Sequence, residues 1–86
     1  LNLPARIREG TRRWNVAVTA IDERQVEFGA LAPIPLDTLV WLILPELEGW
    51  AARIVRIEQD RFAAAFTHPL PAPVLERIRA SGRGRR

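Results

Sequence analysis

The sequence predicts a mainly β domain: a small six-stranded antiparallel barrel of split-barrel type, carrying one C-terminal α-helix. Three observations carry this expectation. Apolar and polar residues alternate with the period of a half-buried strand through most of residues 3–66. Short polar or glycine-containing turns punctuate that alternation, and helical spacing of apolar residues appears only after residue 71. With 86 residues, of which 48% are hydrophobic and 27% charged, the chain can bury one core and is too apolar to be intrinsically disordered.

Leu3, Ala5 and Ile7 alternate with Pro4, Arg6 and Arg8, which predicts a first strand with its arginines in water. Glu9-Gly10-Thr11 reads as a tight turn, because glycine tolerates the positive φ that such reversals need. Trp14, Val16, Val18 and Ala20 then mark a second strand. Asp22-Glu23 turns the chain into a third, Gln25 to Phe28, with Val26 and Phe28 inward.

Gly29 to Leu36 holds Pro33 and Pro35, which lack the donors of a central strand, so it is expected to be a connection packed down through Leu31, Ile34 and Leu36. Leu39 to Leu44 is continuously apolar and stopped by Pro45, and it reads as a strand shielded on both faces. Pro45 to Gly49 supplies a turn. Within Trp50 to Glu58, Ala52 and Ile54 share one parity and Val55 and Ile57 the other, which predicts a bend or bulge near Ile54.

Gln59-Asp60 turns into a sixth strand with Phe62, Ala64 and Phe66. Val74, Leu75 and Ile78 share one face of a helix introduced by Pro71 and Pro73 and expected to end at Gly82. Its expected seat is the outer face of Leu39 to Leu44. Residues 1–80 are thus expected to form the barrel with its covering helix, and residues 81–86 a flexible Arg/Gly tail.

All 13 basic residues are arginine, against 10 acidic ones. Arg83, Arg85 and Arg86 account for the whole excess, leaving residues 1–82 with ten of each sign. A neutral body is not the profile of a general nucleic-acid binder, and the short tail offers only weak, salt-sensitive attraction to phosphates. The absence of cysteine excludes disulfide scaffolds, zinc ribbons and thiol chemistry.

Catalytic signatures are sparse. One histidine, His68, follows the last strand, and one serine, Ser81, lies at the expected helix end, which does not make a hydrolytic triad. No catalytic residue, metal ligand set or cofactor is expected, so the chain reads as non-enzymatic. A glycine-rich nucleotide cradle with a Walker-type lysine is impossible without lysine. Phosphate binding would fall to arginine forks, for which Arg6, Arg8, Arg12 and Arg13 are the clustered candidates. Trp14, Trp41 and Trp50 are candidate partner contacts, tryptophan being enriched at binding hot spots.

No stretch reaches the ~18 consecutive apolar residues of a membrane span, and the N-terminus lacks the pattern of a signal peptide. The expectation is a cytoplasmic protein, or the cytosolic part of a longer one, without membrane insertion. A chain that does not open on methionine is expected to be processed or excerpted.

Three segments together resemble the PilZ domain, a bacterial module associated with cyclic di-GMP signalling. They are Leu3 to Arg8, Leu36 to Pro45, and Arg53 to Phe66 leading into the helix, and the likeness spans Leu3 to Ala80. Dinucleotide-binding members carry an R-x-x-x-R segment before the first strand and a [D/N]-x-S-x-x-G motif on the following hairpin. Aligning Val18 to Gln25 with that motif puts Ala20 at the acid or amide, Asp22 at the serine and Gln25 at the glycine, so none matches. Arg8 and Arg12 show the four-residue step but straddle the first turn.

The resemblance therefore implies a divergent regulatory or adaptor domain without the usual cyclic di-GMP site. Members of this kind act through contacts with another protein or a second copy, including roles in pilus biogenesis and motility. The alternatives are a cyclic di-GMP receptor built on the N-terminal arginines and weak nucleic-acid binding by the tail.

Overall fold

In a computed structural model, which describes residues 2–45 and 47–84 and side chains as far as residue 81, six strands precede one helix. They are β1 (Leu3–Glu9), β2 (Arg12–Ile21), β3 (Gln25–Gly29), β4 (Leu39–Leu44), β5 (Leu47–Glu58) and β6 (Arg61–Phe66), followed by α1 (Ala72–Gly84). All strand pairs are antiparallel, and the order β1-β2-β3-β6-β5-β4 closes on itself through β4 and β1, where Arg6 faces Ile43 and Arg8 faces Trp41. The predicted barrel and its strand count are those found.

Alternation places the core inside the barrel. Leu3, Ala5 and Ile7 of β1, Val16 and Val18 of β2, Val26 and Phe28 of β3, and Val40, Leu42 and Leu44 of β4 are all buried. No described polar or charged residue joins them. Phe28 and Phe62, opposite one another on β3 and β6, stack with centroids 5.2 Å apart.

The β1–β2 connection is a two-residue loop, with Gly10 at φ 61 between the paired Glu9 and Arg12. A positive angle at the first loop residue alone suits the right-handed twist of the flanking strands. The β5–β6 loop places Gln59 at φ 58 without glycine's freedom. Register shifts fall at Val18/Ala20, at Leu42/Leu44 and at Ile54/Arg56. The last lies where the sequence placed a bend, yet it leaves Val55 and Ile57 exposed rather than turning them into the core.

Two other expectations are corrected. The connection between β3 and β4 packs chiefly through Ile34, with Ala30 and Ala32 partly buried against the core and Leu31 91% and Leu36 58% exposed. Both leucines lie in a segment that belongs to no strand and so is not held against the barrel along its length. Nor does α1 cover β4. It follows β6, which ends beside the β2–β3 turn, where Phe66 N donates to Arg24 O and Leu70 N to Glu23 O. From there Leu70, Leu75 and Ile78 join the barrel core, and Arg79 Nη2 donates to Ile21 O at 3.1 Å. The short link of residues 67–71 can reach the adjacent open mouth, and the apolar interior there is what needs sealing.

α1 continues two residues past the expected stop at Gly82, and the remaining tail residues, Arg85 and Arg86, lie outside the described residues. Truncating the plug at its centre, Ile78→Ala, is expected to lower unfolding stability by about 2–4 kcal/mol, whereas Leu31→Ser should be close to neutral by denaturant titration. Relieving the left-handed backbone with Gln59→Gly should raise stability by about 1 kcal/mol in the same assay.

Candidate functional site

Closure removes every free sheet edge, so whatever the barrel recognises it must recognise with outward side chains or loops. The least ordinary outward surface belongs to β4. Its inward residues alternate with Leu39, Trp41 and Ile43, an unbroken apolar row on the solvent side. Leu39 is 39% exposed, and Trp41 and Ile43 are half-buried.

Pairing decides the neighbours of that row. On the β1 side Arg8 lies beside Trp41 and Arg6 beside Ile43. On the β5 side Ala51 lies beside Trp41 and Arg53 beside Leu39. The Arg8 guanidinium stands over the Trp41 ring, 5.5 Å from its centroid, while Arg8 Nη1 donates to Gly10 O at 2.9 Å. Arg53 Nη1 donates to Asp37 O at 2.9 Å. Each arginine is thus held by one bond and keeps most of its fork free.

Beside Trp41 a groove of about 480 Å³ opens between Leu39, Trp41, Gly49, Trp50, Arg53 and His68. Gly49 sits in the β4–β5 irregularity at φ 149, and a Cβ built there would meet Trp41 Cε3 at 4.0 Å. Trp50 is fixed by donating its Nε1–H to His68 O at 2.7 Å. A shallower hollow of about 450 Å³ flanks Ile43, lined by Pro4, Arg6, Asn15 and Pro45.

The residues singled out from sequence therefore separate. Arg6, Arg8 and Arg13 share the outer face, Arg8 and Arg13 as a directly opposed pair. Arg12 does not join them: it pairs with Glu9 and lies over Trp14, 5.0 Å from the ring centroid. Trp41 and Trp50 share the groove, whereas Trp14 packs against the core outside it. Sequence reasoning passed over Leu39, Ile43, Gly49 and Arg53. The signal for the first two was present, since Leu39 to Leu44 is apolar on both parities, but the helix was expected to cover the outer one.

Positions aligned with the hairpin motif form a different surface. Ala20, Asp22 and Gln25 border a concavity of about 260 Å³ shared with Glu27 and Arg79. Asp22 Oδ1 accepts from Arg24 N at 2.7 Å and Gln25 N at 2.8 Å. Those two backbone bonds hold its carboxyl below the ordinary value of 3.8, with burial opposing slightly. An ionised acid occupied by its own turn is a poor seat for a phosphate.

Among the described residues no cluster of three metal-ligating side chains occurs, and no helix is long and apolar enough to cross a membrane. Comparison with protein-family models, with curated proteins and with solved structures returned no match for this chain.

Because the Asp22 carboxyl titrates below 3.8 in the folded chain, its bonds stabilise the fold above that value and are lost as pH falls through the folded pKa. Asp22→Ala is expected to cost about 0.5–1 kcal/mol at neutral pH. The gap between wild type and variant should close as pH falls below 3.8, as followed by urea unfolding at each pH.

Proposed function

We propose that this chain is a PilZ-like, non-enzymatic adaptor module that acts by docking another protein on the outer face of β1, β4 and β5. One observation carries the reading: the apolar row Leu39, Trp41 and Ile43 lies on the outside of a closed barrel, uncovered by α1 and flanked by Arg6, Arg8 and Arg53. An aromatic anchor ringed by arginines is the composition of an interface centre rather than of an idle surface. The PilZ resemblance supports the same reading, because the barrel and single C-terminal helix it implies are the architecture described above.

The alternative, reception of cyclic di-GMP through the N-terminal arginines, is favoured by one feature. Arg8 and Arg13 oppose each other directly across β1 and β2, an arrangement of like charges that an anion would relieve. Against it stand the acid-lined hairpin concavity around Asp22 and Glu27, and Arg12 turned toward Trp14. Binding of nucleic acid by the tail rests on arginines whose side chains lie outside the described ones.

Affinity capture with the full chain tests the docking reading. Partners retained by wild type and by Leu31→Ser should be lost on Trp41→Asp, both substitutions being at surface-accessible leucine or tryptophan positions. An unchanged set of captured proteins on Trp41→Asp would count against it. Heat of binding on titration with cyclic di-GMP, abolished by Arg8→Ala, would establish the alternative in its place.

A further inference from the structure

We infer that the segment docking on this face is acidic: an extended stretch of a partner protein that sets one aromatic or large aliphatic side chain into the Trp41–Trp50 groove and lays flanking carboxylates on Arg8 and Arg53. The inference rests on the docking reading and names the chemistry of its partner.

Charge complementarity carries it. Among the described residues the ion pairs are those of Arg56 with Glu27 at 3.6 Å and with Glu58 at 4.0 Å, on the β3–β5 side of the barrel. Arg6, Arg8, Arg13 and Arg53 take no part in them. Among the described residues three acids lie near this face in the chain, and none forms an ion pair with its arginines. Glu9 continues the inward parity of β1 with Oε1 buried, Asp37 serves Arg53 through its carbonyl, and Glu48 is exposed beside Gly49. A body with balanced charge thus carries a local basic rim around an apolar centre.

Geometry narrows the ligand further. Arg8 and Arg53 flank the row from opposite sides, one beside Trp41 and the other beside Leu39. Both are already held by a backbone carbonyl, so an incoming carboxylate meets a fork that has lost part of its freedom. The groove has an aromatic floor and wall, with Gly49 leaving the space a side chain would fill. From Leu39 to Ile43 the row runs about 13 Å, the length of a short extended segment.

A closed barrel offers that segment no strand edge, so recognition must come from side chains. A second copy of this chain fits poorly. A two-fold contact through the face would set Arg6, Arg8, Arg13 and Arg53 against the same arginines of the copy.

The test uses the full chain and a displayed library of random linear peptides, with fluorescein-labelled copies of enriched sequences measured by polarisation. Enriched peptides should pair an aromatic or aliphatic anchor with nearby Asp or Glu. Affinity should fall about tenfold or more on Trp41→Ala and on Arg8→Gln combined with Arg53→Gln, measured below the melting temperature of each variant with its folded circular dichroism spectrum retained. It should also fall on raising salt from about 0.05 to about 0.5 M. Changing the peptide's own acids to amides should weaken binding to wild type equally, which needs no variant of the protein.

Trp41-dependent peptides that lack acids, or that tolerate the amide change, would overturn the acidic partner while leaving protein docking intact. Absence of any Trp41-dependent peptide would remove both. Displacement of the peptides by cyclic di-GMP, or a Trp41-dependent dimer in sedimentation, would assign the face to the dinucleotide or to a second copy instead and overturn the inference.

Discussion

Everything else in this structure depends on the pairing of β1 with β4. Without it the six strands would form an open sheet with two unpaired edges, and the alternation that buries Ile7, Val18 and Leu42 would face an unfilled cleft. With it the sheet becomes a barrel with one interior, and each strand has a single solvent side. Such closure demands tight local curvature, and the three register shifts in β2, in the β4–β5 pair and in β5 are the places where extra residues are absorbed. One of them carries Gly49, so the irregularity that bends the sheet also opens the groove beside Trp41.

Closure leaves the two mouths to be sealed separately, and it also fixes where charge can go. No polar or charged residue is fully buried among the described residues, and the described arginines are exposed or half-buried. The balance of ten acids and ten bases over residues 1–82 hides a division. Glu27 and Glu58 accompany Arg56 on one side, while Arg6, Arg8 and Arg13 gather on the other with no ion pair among the described residues. Arginine can occupy such a site where lysine would be less well held, because its planar guanidinium lies over Trp41 and bonds Gly10 O at the same time.

The strands were legible because period two is a strong constraint once one face is buried, and in β1 and β3 the sequence alternates cleanly. The two-residue turn at Gly10 was equally plain. Leu31 and Leu36 were misread because hydrophobicity marks residues that can be buried, while only the path of the connection decides which are; Ile34 reaches the core and they do not. The seat of α1 followed from where β6 ends, a topological fact that amphipathic spacing cannot supply. The arginine cluster was visible as a cluster, but its splitting into Arg6, Arg8 and Arg13 on one face and Arg12 on Trp14 depends on which β2 residue meets which β1 residue.

The two seals differ in kind. At the β2–β3 turn the plug is a helix bearing Leu75 and Ile78, tied down by Arg79 on Ile21 and by the backbone bonds to Glu23 and Arg24. At the β1–β2 turn the seal is an irregular segment that contributes Ile34, with Asp37 at φ 70 where it enters β4 and with Glu9 Oε1 buried without a partner. A buried acceptor left unbonded and a non-glycine residue in the left-handed region both subtract from local stability. The β1–β2 mouth thus carries two local costs, the left-handed Asp37 and the unbonded Glu9 Oε1, and in that respect is the weaker mouth. Arg8 bridges the two regions: its bond to Gly10 O ties the weaker mouth to the guanidinium that covers Trp41. The same guanidinium thus belongs both to the β1–β2 turn and to the outer face of β4, so the two are built from one side chain.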